Sequence, residues 1–309
     1  MYTPPPDLSA GDVAAALRDG WGLSATALSY LPVGYGGHHW SAVAGGRRWF
    51  VTADDLDAKP WLGESRDAAF AGLAAAYDAA ARLRESGLAF VVAPLRTPSG
   101  VGAVRAGERY AVSVTPWVDG TAGGFGDDVT PEQRDARLRL LAELHAATFA
   151  VRGLAVSPPA LPDRPVVDRA LAELGTPWSG GPFAEEARLL LAEHADGVRL
   201  LLADFDGRAA AVRPADLVVT HGEPHPGNVL TTPDGPRLVD WDTVALAPPE
   251  RDLWLLGDGD FAAYGGPVDP ERIALYRLRW RLADIASFTA ALRSPRGTAD
   301  DLRLLRANL

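Results

Sequence analysis

Residues 217–242 read LVVTHGEPHPGNVLTTPDGPRLVDWD. After an apolar run, His221, Glu223, His225 and Asn228 alternate with Gly222, Pro224, Pro226 and Gly227. His221 and His225 stand four apart, the spacing that lets two imidazoles share a zinc ion from one face of a helix. Pro224 and Pro226 preclude that helix, because a proline inside a helix lacks the N–H and collides with the preceding turn. The segment therefore reads as a strand that ends in a stiff loop presenting Glu223 and Asn228. The continuation, NVLTTPDGPRLVDWD, is two short apolar strands around Pro-Asp-Gly, a hairpin signature. Pairing them about Asp234 and Gly235 sets residue 228 opposite 241 and 229 opposite 240. Asn228 and Asp240 are then expected side by side at the open end, roughly 5 Å apart at the backbone.

A carboxamide and a carboxylate that converge without cysteine form a hard-oxygen site, suited to Mg²⁺ completed by water and phosphate. Glu223 would be the carboxylate left over to act as a base. Taken singly, Asn228 reads better as a turn cap and the aspartates as decoration of a hairpin end; together and in this order they favour the metal. Farther upstream, LSYLPVGYGGHHWSAV sets Gly34, Gly36 and Gly37 between two strand-like runs. A glycine turn lets backbone amides approach phosphate oxygens closely. It lacks the Gly-Lys-Ser/Thr of a P-loop, so its weight comes from its partners.

Composition limits the alternatives. The chain has 309 residues, 47% hydrophobic and 23% charged, which is the balance of a globular protein long enough for two sub-domains. It has no cysteine, excluding disulfides and thiolate chemistry. A formal charge of -10 argues against a nucleic-acid partner and favours a cationic small molecule. No membrane-length apolar run and no secretory signal pattern is seen, so a cytoplasmic location is expected. Lys59 is the only lysine, and with the Ala, Gly and Pro excess this reads as compositional bias.

Strand signals fall at 27–33, 39–44, 47–53, 90–94, 101–105 and 108–114, with a helix over 65–84. They predict a small mixed sheet with one helix as an N-terminal lobe, 1–115. Helices are predicted over 131–151, 183–205, 249–256, 270–292 and 298–308, giving a mainly helical C-terminal lobe, 116–309. Pro158, Pro159, Pro162 and Pro165 mark a loop. His145 falls on an apolar helix face and reads as a core histidine. Trp40, Trp49 and Trp61 read as core, whereas Trp117 is a candidate wall against a nucleobase.

Glycine turn, hinge, H-G-x-x-H-x-x-N, hairpin and D-x-D occur in an order that resembles the aminoglycoside phosphotransferase family. GGHHW and VDWDTVALAPPERDLWLL are most similar to its spectinomycin-phosphotransferase-like branch. The resemblance spans nearly the whole chain and implies an α+β, protein-kinase-like two-lobe fold. It implies a kinase that moves the γ-phosphoryl group of ATP or GTP, with Mg²⁺, to a hydroxyl of an aminoglycoside or aminocyclitol, in antibiotic resistance or biosynthesis, as a monomer or weak dimer. On that basis Asn228 and Asp240 hold the metal, residue 223 faces the acceptor hydroxyl, His221 braces the loop and Asp252 is a buried structural acceptor. Gly34, Gly36 and Gly37 cover the phosphates, Thr115, Trp117 and Val118 form the hinge, and His225 and Asp242 belong to the acceptor side. Because Pro116 has no N–H, Trp117 or Val118 must supply the hinge donor.

Two departures stand out. The family has aspartate where this chain has Glu223, and a third-strand lysine where it has Thr52. No glutamate stands centrally in 65–84 to pair with a lysine, so the ion pair is missing as a unit. Lys59 could reach in, but Pro60 after it suggests a surface turn. His38, His39, Arg47 and Arg48 are further possible phosphate contacts; His39 reads as a packed strand residue and the arginines as solvated. The departures leave open a protein that binds nucleotide or metabolite and transfers nothing.

Overall fold

The computed structural model describes residues 3–34, 36–161, 163–257 and 259–309. By contacts the chain divides into two units. The first comprises 1–156, 218–246 and 255–266, and the second 157–217, 247–254 and 267–309.

The first unit opens with a helix the sequence reading did not anticipate, α1 (Ala10–Trp21), started by a capping box between Ser9 and Asp12. It buries Val13, Ala16 and Leu17 in the core of the sheet. Strands β1 (Ala27–Leu31), β2 (Gly37–Ala44), β3 (Arg47–Asp55), β4 (Val104–Ala106) and β5 (Tyr110–Pro116) form that sheet in the order β1-β2-β3-β5-β4. Every pairing is antiparallel, so the sheet is not the mixed one expected. The run 90–94 contributes only an isolated bridge from Val91 to Leu238. Helix α2 (Arg66–Glu85) has Ser65 as N-cap and turns Leu73, Ala76, Tyr77 and Ala80 inward. Helix α3 (Pro131–Ala146) is capped by Thr130 and Gln133 and runs on as a 3-10 turn to Val151. His145 on it is buried, with Nδ1 2.8 Å from the Tyr264 hydroxyl, as a core histidine should be.

The second unit is helical. Pro165 lies in the first turn of α4 (Arg164–Ala172), where its missing N–H costs nothing, so these prolines mark a helix start rather than only a loop. Pro162 lies outside the described residues. The helix expected over 183–205 is two, α5 (Ala184–Glu193) and α6 (Ala195–Ala210), broken at His194. A four-residue helix, α7 (Glu250–Leu253), precedes α8 (Pro270–Leu292) and α9 (Ala299–Asn308). Their core gathers Leu191, Val198, Leu202, Leu275, Leu282 and Leu305. No helix among the described residues is long and apolar enough to cross a membrane.

Strands β6 (Val218–Thr220), β7 (Val229–Thr232), β8 (Gly235–Leu238) and β9 (Ala245–Ala247) carry the decisive stretch in two small sheets, β6 with β9 and β7 with β8. The β7–β8 register is Val229↔Leu238 and Thr232↔Gly235, two residues away from the one expected. In the expected register Pro233 would face Pro236 at the closing pair, where both residues must donate an N–H and neither can. The observed turn is centred on Pro233 and Asp234 and fastened by the Thr232 hydroxyl, which donates to the Gly235 carbonyl at 2.7 Å. Both edges of the hairpin are bonded. Thr121 and Thr231 exchange N–H···O bonds of 3.0 and 2.9 Å, while Leu238 donates to Phe90 and accepts from Val92.

Candidate functional site

The loop after β6 is fixed from its backbone outward. His221 is fully buried; its Nδ1 accepts the Glu223 N–H at 3.3 Å, which makes Nε2 the protonated nitrogen, and Nε2 donates to the Val239 carbonyl at 2.9 Å. Trp241 packs edge-on against the imidazole. The Asn228 amide donates to the Glu223 carbonyl at 3.0 Å. Glu223 is thus held at both its N–H and its C=O, and its side chain stands in solvent. The Asn228 Oδ1 is left with no hydrogen bond among the described residues. His225 is half-buried: its Nδ1 accepts the Gly227 N–H at 3.1 Å and its ring meets Phe125. The helix required for a zinc pair is absent here, as expected, since Pro226–Asn228 is a single 3-10 turn.

Because of the register, Asn228 lies opposite Val239, whose N–H donates to its carbonyl, and Asp240 is the next residue. Asp240 has φ 65°, a left-handed conformation that aspartate tolerates better than most residues. Its side chain is accessible to solvent but hemmed in by protein, and its carboxyl is pushed well above the usual range, first by lost hydration and then by the charge of Asp242.

The largest correction concerns Lys59. It is not on a surface turn but 3% exposed. After β3 the chain makes two successive 3-10 turns, Leu56–Ala58 and Pro60–Leu62, and Lys59 between them turns back under the sheet. Its Nζ lies 2.9 Å from Asp54 Oδ1 and also pairs with Asp242. Burial works against the ammonium, but Asp54, Asp242 and Asp240 outweigh it and hold the lysine above its ordinary value. Asp242 is nonetheless raised, chiefly by burial. One ammonium stands among three carboxylates, which keeps the lysine charged while burial and mutual repulsion push Asp240 and Asp242 up. Asp242, expected on the acceptor side, is paired with Lys59. Asp54 in turn receives the Tyr77 hydroxyl, from α2, at 2.8 Å.

The glycine turn lies over the same ground. Gly34 and Gly36 have φ of 70° and 81°, and a Cβ at Gly37 would come 3.2 Å from Thr52, 3.3 Å from His39 and 3.6 Å from Asp54. His39 Nδ1 is 3.2 Å from the Thr52 hydroxyl, and desolvation pushes its pKa down to about 4, so the imidazole is neutral. His38 is buried and contacts Tyr30. Arg47 is exposed, and Arg48 stacks over the Trp117 ring at 3.4 Å. That stacking covers one face of the indole expected to wall a nucleobase. At the hinge the Thr115 hydroxyl donates to the Phe50 carbonyl at 3.5 Å, and the Trp117 N–H donates to the Arg48 carbonyl at 3.4 Å. Val118 is then the hinge residue whose N–H has no partner among the described residues. Of the other tryptophans, Trp40 is core and Trp61 is 53% exposed. Asp252, in the second unit, is fully buried at α7.

A profile of the phosphotransferase enzyme family matches residues 39–291. The chain belongs to that family. Protein StrN of Streptomyces griseus, a relative, is 34% identical over 254 residues, 73% of this chain and 72% of its own. Among solved structures, a spectinomycin phosphotransferase in complex with ADP and spectinomycin aligns with a TM-score of 0.74 at 17% identity, covering 97% of this chain and 94% of its own. The amicoumacin kinase hAmiN, in complex with AMP-PNP, Ca²⁺ and Ami, gives 0.58 at 12% identity, covering 97% and 92%. At these identities the likeness establishes the fold, which is the α+β, protein-kinase-like one anticipated.

Whether the site fits a divalent cation turns on its donors. Among the described residues no group of three or more His, Asp or Glu side chains could hold a metal unaided. Asn228 Oδ1, without a hydrogen bond, and the crowded, solvent-reached Asp240 carboxylate are two hard oxygens, the number Mg²⁺ takes when phosphates and water supply the rest.

Proposed function

We propose that the protein is a small-molecule kinase that transfers the γ-phosphoryl group of ATP or GTP to an alcohol. The carrying observation is the buried Lys59 between Asp54 and Asp242, beside Asp240 and beneath the glycine turn, in a chain of this family. Lys59 supplies the cation that Thr52 cannot, from a position seven residues later. It binds the nucleotide phosphates, and the amides of the turn at Gly34, Gly36 and Gly37 enclose them. Asn228 and Asp240 would hold Mg²⁺, which when bound neutralises charge on the phosphates. Val118 presents the hinge N–H to the base.

Glu223, fixed through His221 and Asn228, accepts the proton of the acceptor hydroxyl at its side-chain carboxylate. The hydroxyl oxygen bonds to the γ-phosphorus as the bond to the β–γ bridging oxygen breaks, and the nucleoside diphosphate leaves. Catalysis here is positioning and charge stabilisation, which explains why the loop is braced by so many backbone bonds. The charge of -10 suits a cationic acceptor, and the spectinomycin phosphotransferase likeness makes an aminocyclitol the first class to try. Lys59 removes one of the two grounds for a protein that binds without transferring.

The test is incubation with Mg²⁺, ATP or GTP and a panel of aminocyclitols and aminoglycosides, read by mass spectrometry for a product heavier by one phosphate. Glu223→Gln should lose that product and Glu223→Asp keep it. Nucleotide binding with no product across the panel would replace the kinase by the binding protein.

A further inference from the structure

Lysine has a flexible four-carbon stem and three donors that rotate, so a lysine meant to meet phosphate has to be aimed by its neighbours. Two acids share Lys59: Asp54 at the end of β3 and Asp242 after the hairpin. Nζ hydrogen-bonds to Asp242, forms an ion pair with Asp54 and lies 5.6 Å from the Trp61 ring, and it has no other hydrogen-bond partner among the described residues. No acid of α2 takes part. Asp67 pairs with Arg105, Asp78 with Arg82 and Arg96, and Glu85 with Arg96.

What α2 does contribute is Tyr77. Its hydroxyl donates to Asp54 Oδ2 at 2.8 Å, while Asp54 Oδ1 faces Lys59 at 2.9 Å. Both oxygens of one carboxylate are thereby engaged. The phenol is itself immobile. It is 5% exposed, and a Cβ at Gly102 would come 2.8 Å from the Tyr77 Cβ. Burial and the surrounding carboxylates push the hydroxyl well above its ordinary pKa, so it stays a donor.

We propose that Tyr77 is a positioning residue: by fixing Asp54 it holds the Lys59 ammonium between Asp54 and Asp242 and points its remaining donor at the nucleotide phosphates. A helix carboxylate paired directly to lysine is here replaced by a helix phenol acting through a strand carboxylate. This rests on the kinase reading for the identity of the ligand, though not for the Tyr77–Asp54–Lys59 contact itself.

Lys59 is the only lysine in the chain, so protein grown with ¹³C,¹⁵N-lysine gives a single lysine side-chain signal. In Tyr77→Phe, which keeps the ring and the packing, that signal should shift in the nucleotide-free protein. Asp54→Asn should shift it further in the same direction. The KM for Mg-nucleotide should rise roughly tenfold in Tyr77→Phe, as for loss of a hydrogen bond to a charged group, while the KM for acceptor is unchanged. In a Lys59→Met background, Tyr77→Phe should leave nucleotide affinity where Lys59→Met put it. An unmoved lysine signal in both variants, or an equal loss of affinity with and without Lys59, overturns the proposal and leaves the kinase reading intact. A wild-type signal indifferent to both Mg-ATP and Mg-GTP overturns the two together.

Discussion

Replacing Lys59 by methionine removes an ammonium from a place where little water can follow. Lys59, Asp54 and Asp242 are 3%, 2% and 6% exposed, so the ion pairs belong to the buried class. Breaking such a pair by deleting one partner costs about 3–5 kcal/mol, because the orphaned charge remains. For a chain of this size that is roughly 5–8 °C of thermal midpoint. The sign of the pH dependence identifies the cause. Burial already raises Asp242, and without Lys59 it rises further, so the native state of Lys59→Met holds a proton that the unfolded chain releases. Its stability is lost as pH rises through that raised value and is partly restored below it. The gap between wild type and variant in urea midpoint should therefore be wider at about pH 8 than at about pH 5. Turnover should fall by about a hundredfold to a thousandfold, the scale for one preorganised donor. A gap that is the same at both pH values, or less than about 1 kcal/mol, would refute the buried pairing.

Other expectations follow from the same geometry. Asp240→Asn keeps a residue that accepts positive φ and removes one of three crowded carboxylates, so the free protein should become more stable in urea. Its Mg²⁺ concentration for half-maximal nucleotide binding should rise about tenfold or more, and an unchanged midpoint would take Asp240 out of the metal site. His39, down to about 4 in the fold against 6.5 in the unfolded chain, resists a proton the unfolded chain accepts. Stability should fall by up to about 3 kcal/mol as pH drops from about 6.5 to about 4, and His39→Asn should flatten that part of the profile. Glu223→Gln should leave the nucleotide Kd within about twofold while abolishing product, because only the proton acceptor changes.

The sequence made the His221–Asp242 block legible because its chemistry is local: prolines exclude the zinc helix and the loop residues are set by short-range bonds. The hairpin register was misread by two residues because Pro-Asp-Gly draws attention to Asp234 and Gly235, whereas proline's missing donor decides where the turn closes. Lys59 was misjudged for a different reason. Pro60 does start a turn, but the turn folds inward, and only the sheet reveals that Asp54 waits there. One signal was available. Of 30 lysine and arginine residues, 59 alone is lysine, and in a chain so biased toward arginine a retained lysine marks a place where the planar guanidinium does not serve. Helix α1 was readable from Ser9, Asp12 and the apolar spacing at 13, 16 and 17, whereas the break at His194 carries no glycine or proline to announce it.

The two bonded margins of the β7–β8 hairpin carry a mechanical consequence. Thr121, a few residues downstream of the hinge, is stitched to β7, and 90–92 is stitched to β8. In the proposed kinase a base settling against Val118 would therefore tug on the ribbon that bears Asn228 and Asp240, so the two ends of a nucleotide would be gripped by hydrogen-bonded segments instead of by loops free to drift apart.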